Sequence, residues 1–125
     1  MAQFYKCDLC NKIVAVVRDG AGTSMCCGQD MTELVPGTVD ASREKHVPYV
    51  TINGTEVTVQ VGSTMHPMEE KHFIDWICIK TDRGIQLKYL TIGSEPVARF
   101  YLEKGEKLKT VYSYCNIHGL WSADI

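Results

Sequence analysis

Four cysteines within the first 27 residues constrain this chain more than any other feature of its sequence. They stand as Cys7-x-x-Cys10 and, fifteen residues on, as the adjacent pair Cys26-Cys27. A two-residue gap lets one tight turn present two thiolates on the same side, and the second pair completes four soft ligands for one ion. Tetrahedral sulfur suits zinc or iron. Neighbouring side chains tend to point apart, so the adjacent pair should distort the tetrahedron. On spacing alone, a zinc ribbon with a purely structural ion stands beside a redox iron. Disulfides are the weaker expectation, because clustered cysteines in a reducing cytoplasm more often bind metal or do redox chemistry.

Residues 1–36 carry too few apolar side chains for a core of their own, so a metal must stabilise this module. Tyr5 to Lys12 reads as a tight turn between short strands, the second being Ile13 to Val17. Asp19-Gly20-Ala21-Gly22 is a turn, Met25 to Gly28 returns the chain, and Met31 to Val35 adds a last short strand. Residues 37–46 form a linker and loop, in which Ala41 to Lys45 has room for one helical turn before His46-Val47-Pro48 ends it.

Residues 47–125 read as all β. Val50-Thr51-Ile52 and Val57 to Val61 alternate apolar with polar around Asn53-Gly54, a strong hairpin signal. Phe73 to Lys80 and Ile85 to Leu90 flank Thr81-Asp82-Arg83-Gly84, a second hairpin candidate. Val97 to Leu102 and Leu108 to Tyr114 supply two more strands around Lys104-Gly105. Short strands with turn signals every 8–12 residues predict an antiparallel β-sandwich. The fold class is therefore mainly β, a small metal-bound module followed by a sandwich.

Net charge is −2, and the balance is even on both sides of Pro36, so no basic field attracts nucleic acid. No apolar run approaches the roughly 20 residues that span a bilayer, and the N-terminus lacks the profile of a secretory signal. The expected address is the cytoplasm, away from membranes.

The histidines show the opposite asymmetry: none lies among the first four cysteines, and all four fall later, at His46, His66, His72 and His118. Each sits where a strand is expected to end, and Cys115 lies three residues before the last. Five such ligands exceed the four of a closed zinc site. Around iron they would be square-pyramidal, with the thiolate axial and the opposite position empty. An axial thiolate pushes electron density through the metal, as in haem–thiolate enzymes, which would help to release a reduced oxygen ligand.

Glu44-Lys45-His46-Val47-Pro48, His66-Pro67-Met68-Glu69-Glu70-Lys71-His72 and Cys115-Asn116-Ile117-His118-Gly119-Leu120-Trp121 resemble the signature segments of desulfoferrodoxin, the two-iron superoxide reductase. The cysteine set resembles that family's desulforedoxin-like module, and the resemblance runs over essentially the whole chain. It implies a rubredoxin-type iron at Cys7, Cys10, Cys26 and Cys27. It also implies a catalytic ferrous iron at His46, His66, His72, Cys115 and His118, on an immunoglobulin-like sandwich, and a homodimer.

The implied reaction is the one-electron reduction of superoxide to hydrogen peroxide, with a rubredoxin-like or other reductase restoring the ferrous state. In that role the protein serves electron transport and detoxification under oxidative stress. The resemblance places the Lys45 ammonium near the open position, where it attracts the anion. It makes Glu44 the carboxylate that closes that position after oxidation. A calcium ion, structural or from crystallisation, is left open without any residue pattern that argues for it. Two rivals stand beside this reading: an electron carrier whose histidine-bound iron is a second redox station, and a zinc-stabilised binding module.

Cys78 reads as a buried small apolar residue. Glu69, Glu70 and Lys71 read as loop surface, and Met25, Met31, Met65 and Met68 as packing. Tyr114 and Trp121 flank ligands in sequence, which leaves their role to the fold.

Overall fold

The computed structural model describes all of residues 1–125, which divide into two compact units, Met1–Val35 and Pro36–Ile125. In the first, β1 (Phe4–Lys6) lies between β2 (Ile13–Ala15) and β5 (Thr32–Glu33), antiparallel to both. Strands β3 (Met25–Cys26) and β4 (Gln29–Asp30) form a separate hairpin. Only Phe4, Cys7 and Met31 are buried hydrophobics in this unit. A cluster of three cannot offset the backbone entropy of some thirty residues, at roughly 1–2 kcal/mol each. β2 stops at Ala15, short of the expected Val17, whose side chain is fully in solvent.

The second unit opens with one helical turn, α1 (Arg43–His46), and continues through seven strands. These are β6 (Pro48–Asn53), β7 (Glu56–Val61), β8 (Ile74–Thr81), β9 (Gly84–Tyr89), β10 (Val97–Tyr101), β11 (Leu108–Cys115) and β12 (Gly119–Asp124). One sheet has the order β10-β7-β6 and the other β12-β11-β8-β9, all antiparallel. Three plus four antiparallel strands packed face to face make an immunoglobulin-like sandwich.

The core between the sheets takes Val57, Val59 and Val61 from β7, and Ala98 and Phe100 from β10. Ile77 and Ile79 from β8 and Val111 from β11 meet them from the other sheet. β7 alternates buried and half-buried residues as its sequence does. Burying each such side chain contributes about 1.5–3 kcal/mol, and this unit gathers a contiguous apolar cluster where the first has three buried hydrophobics. Met31 and Met68 are buried as expected, whereas Met25 and Met65 are exposed. Cys78 is fully buried.

Three features place the functional end. β6 begins where β7 ends, with Pro48 opposite Val61. β8 begins where β11 ends, with Cys115 opposite Ile74. The register shifts between Tyr114 and Cys115, because Asp75 is an extra residue in β8. The bulge turns Ile74 inward beside Cys115, so that both join the core cluster. The two strands flanking Lys104-Gly105 go to different sheets, β10 beside β7 and β11 beside β8. β12, which sequence patterning did not single out, pairs with β11 through a turn that starts at Cys115.

Candidate functional site

In the first unit the turn after β1 is closed by two backbone bonds, Cys7 N–H to Lys12 C=O and Asn11 N–H to Cys7 C=O, each 2.9 Å. Asn11 takes the left-handed conformation (φ 68°) that the turn needs. The adjacent cysteines converge for a related reason. Cys27 and Gly28 are the two central residues of the β3–β4 hairpin, with φ of 54° and 79°. Two successive positive φ angles mark a type I′ turn. That turn swings Cys27 round to the side of Cys26, so the sulfurs lie 3.8 Å apart, and Cys10 Sγ is 3.6 Å from Cys26 Sγ.

All four sulfurs of Cys7, Cys10, Cys26 and Cys27 lie within 4.8 Å of one another. Such thiols compete for protons. The backbone N–H of Cys10 draws Cys7 down to about 7, while hydrogen bonding with Cys10 pushes Cys27 up to about 12. Four sulfurs this close cannot all ionise without a cation among them, and tetrahedral thiolate sets take iron or zinc.

In the second unit the five expected groups also converge: one donor atom each of His46, His66, His72, Cys115 and His118 lies within 4.8 Å of the others. His46 ends α1 and His66 follows the turn after β7. His72 precedes β8, Cys115 ends β11, and His118 lies in the β11–β12 turn. The imidazoles make a square. Neighbouring rings 46–66, 66–72, 72–118 and 118–46 have centroids 4.6, 4.5, 5.1 and 4.8 Å apart, with planes inclined by 78–84°. The diagonal pair His46 and His72 is wider, at 6.3 Å and 32°. Cys115 Sγ contacts two other corners, 3.4 Å from His66 Nε2 and 3.9 Å from His118 Nδ1.

Hydrogen bonds choose which nitrogen faces the centre. His46 Nδ1 donates to the Ser42 carbonyl and His66 Nδ1 to the Pro67 carbonyl, each at 2.6 Å, leaving both Nε2 lone pairs turned to the cluster. His118 instead presents Nδ1, 3.0 Å from His46 Nε2. Two nitrogens bound cis to one ion at about 2.1 Å would be about 3.0 Å apart. Burial is the main force lowering the affinity of His46, His66 and His72 for a proton, and it takes His66 to about 4. Burial thus favours the neutral, ligating form of these three rings, whereas it pushes the Cys115 thiol up.

One atom decides that a metal fits. His72 Nε2 is buried and has no hydrogen-bond partner, a rare state for a buried polar atom. His72 belongs to a five-donor set that a cation can satisfy at once.

Glu44 and Lys45 lie on α1 and are exposed, and the Lys45 charge disfavours protonation of both His46 and His72. Sequence reading left several supporting groups unassigned. Trp121 is buried, with its ring 5.0 Å from that of His46 and its indole N–H donating to the His118 carbonyl at 3.0 Å. Tyr114 instead stacks on Trp76, at 5.5 Å and 8°. Ser113, fully buried on β11, donates to the His46 carbonyl at 3.0 Å. Gly119 has φ 76° and closes the three-residue turn Asn116-Ile117-His118, which returns the chain as β12. No spacing in the sequence announces Ser113, because its partner is 67 residues away.

Two family models match this chain: desulfoferrodoxin over residues 38–124, and the desulfoferrodoxin N-terminal domain over residues 1–34. The chain belongs to the desulfoferrodoxin family. The desulfoferrodoxin of Syntrophotalea carbinolica is 48% identical over 122 residues, 98% of this chain and 95% of that one. Desulforedoxin from Megalodesulfovibrio gigas is 52% identical over 29 residues, 23% of this chain and 78% of its own length. Among solved structures, the superoxide reductase from Treponema pallidum matches with a TM-score of 0.84 and 36% identity, covering 99% of both chains. Family membership and the two donor sets together identify two iron centres, one of four cysteines and one of four histidines with a cysteine.

Proposed function

We propose that this chain is a superoxide reductase, converting superoxide to hydrogen peroxide with one electron and two protons. The observation that carries this reading is the square of four imidazoles with Cys115 Sγ beside it, in a chain of the desulfoferrodoxin family. His46, His66, His72, His118 and Cys115 hold iron there, and a bound ferrous ion supplies the electron. Cys7, Cys10, Cys26 and Cys27 hold a second iron for structure or electron transfer.

The protein's own groups manage charge and water. Lys45 is an exposed cation next in sequence to a ligand, and it attracts the small anion and orders a water for proton delivery. Glu44, on the same turn, closes the reacting position after oxidation and helps peroxide leave. Cys115 is buried in the core cluster, where the dry surroundings keep solvent from its sulfur. An external donor, rubredoxin-like or another reductase, returns the electron. The protein acts as a homodimer in the cytoplasm, where a reducing environment suits six unpaired cysteines. No helix is long and apolar enough to cross a membrane.

The test is to quantify iron, record the visible spectrum, and expose reduced protein to a superoxide pulse. The reading requires two irons per chain, thiolate bands from both centres, and peroxide formed without oxygen. Zinc in both sites and a colourless protein would end it, and superoxide-independent oxidation would leave a simple electron carrier.

A further inference from the structure

Asn116 lies between two ligands in sequence, yet the reaction above gives it no part. Its side chain reaches back across the site to the loop that carries a third ligand. Asn116 Oδ1 accepts from the N–H of Phe73 at 2.9 Å, and Asn116 Nδ2 donates to the carbonyl of Lys71 at 3.0 Å. Its backbone N–H adds a bond to the Phe73 carbonyl at 3.2 Å. Lys71 and Phe73 are the two neighbours of His72. One amide therefore grips the backbone on both sides of a single histidine.

Earlier in that loop Met68 is buried in the core, with its carbonyl accepting from Gly93 N–H at 2.9 Å and its sulfur from Ile74 N–H at 3.3 Å. Glu69 and His72 exchange backbone bonds of 2.9 and 3.1 Å, which closes a tight turn, and regular pairing resumes only at Ile74. His46 is fixed by Ser113 at its carbonyl, and the His66 backbone N–H donates to Val61 at 2.7 Å. The grip on His72 comes from the turn that also supplies Cys115 and His118. His72 is also the corner whose buried Nε2 has no partner within the protein.

We propose that Asn116 is a positioning residue, locking His72 to the Cys115–His118 turn so that three of the five donors move as one body. The inference rests on the iron-binding role given to these donors under the proposed function. The chemistry requires asparagine. A backbone N–H only donates and a carbonyl only accepts, so the clamp needs one acceptor and one donor on a short planar group. Aspartate has the same shape but turns an oxygen toward the Lys71 carbonyl. Glutamine is one methylene too long, and serine cannot reach both partners.

The experiment compares Asn116→Ala and Asn116→Asp with the parent, full-length and iron-loaded. It records iron per chain, the thiolate absorption of the histidine centre, the rate of iron loss to a chelator, and the melting temperature. Absorption of the cysteine centre in the same molecules is the internal control. In both variants we expect the histidine-centre band to shift and its iron to leave about 10-fold faster, with the cysteine-centre band unchanged. Bands and release rates matching the parent overturn the proposal. So does a lower melting temperature with an unshifted band, which would mark a merely structural residue. Asn116→Asp preserves size, so it decides the matter if the alanine variant does not fold. A parent that itself takes up no iron at the histidines defeats the proposed function and this inference with it, whereas a normal parent with silent variants defeats this inference alone.

Discussion

The indole of Trp121 lies 5.0 Å from the imidazole of His46, its plane tilted by 35°, while its N–H holds the carbonyl of His118. One buried side chain thus braces two adjacent corners of the histidine square. Trp121→Phe keeps an aromatic ring against His46 but leaves the His118 carbonyl without its donor. The loss of that bond and of part of the ring should cost about 1–3 kcal/mol, read from denaturant unfolding of the iron-loaded protein. A phenylalanine variant as stable as the parent would make the indole a passive filler.

Gly62 is buried where the backbone of α1 crosses it. A Cβ there would lie 2.5 Å from the Glu44 carbonyl oxygen and 2.8 Å from that of Val47. Neither is the end of a flexible side chain, so the helical turn itself has to shift. The same Glu44 oxygen accepts from Thr64 N at 3.0 Å and Ser63 Oγ at 3.3 Å. Gly62→Ala should cost about 1–3 kcal/mol through overpacking and displace Glu44 and Lys45. The expected outcome is a several-fold slower reaction with superoxide and an unchanged spectrum of the cysteine centre. A normal rate would show that the turn relaxes without moving them.

Lys45→Ala should lower the second-order rate with superoxide and weaken its dependence on salt, because a local cation acts mainly on encounter. Stopped-flow or pulse measurements at low ionic strength check this. A rate equal to the parent's under those conditions rejects the role. Lys45→Arg, which keeps the charge, should keep most of the rate.

Cys115→Ser should abolish the thiolate absorption of the histidine centre and most of the activity. The absorption of the four-cysteine centre should persist. Survival of both the histidine-centre band and the rate would mean that Cys115 is not a ligand.

At the other end of the sandwich, Asp82 and Glu106 tie the β8–β9 turn to the segment before β11. Asp82 Oδ1 accepts from Lys107 N at 2.8 Å, and Glu106 Oε2 accepts from Thr81 Oγ1 at 2.6 Å. The Lys107 N–H lowers the Asp82 carboxyl below its ordinary range, and the Thr81 hydroxyl does the same for Glu106. A carboxylate lowered in the folded state adds stability above its unfolded pKa, about 4. That stability is lost as pH falls through the lower folded value. Melting curves from pH 6 to pH 3 should therefore fall less steeply for Asp82→Asn and Glu106→Gln than for the parent. Parallel curves would mean that these bonds favour neither protonation state.

Much of this molecule was readable from its residues, because the strongest signals are local. The alternation in Val57 to Val61 and the Cys-x-x-Cys spacing act over a few residues and took the form expected. The hairpin signalled by Asn53-Gly54 forms with Gly54 and Thr55 at its centre and Asn53 paired with Glu56. The partition of strands did not follow in the same way. The strands around Lys104-Gly105 are near in sequence yet belong to different sheets. Which sheet each one joins is decided by the face it must bury, a property of the assembled core.

The four cysteines that open the sequence show the same division. By themselves they determined that the first unit needs a cation, since three buried apolar side chains cannot hold it. How an adjacent pair comes to share one centre was decided by the positive φ of Cys27 and Gly28 in the hairpin. For the second site, the sequence supplied four imidazoles and a thiol at strand ends. Tertiary structure alone set their order around a square, placed Cys115 in the core beside a bulge, and brought Asn116, Ser113, Gly62 and Trp121 in behind them. Donor chemistry is a property of residue types. Much of the geometry comes from contacts between distant segments, 43 residues apart for Asn116 and Phe73 and 67 for Ser113 and His46, on which local periodicity leaves no mark.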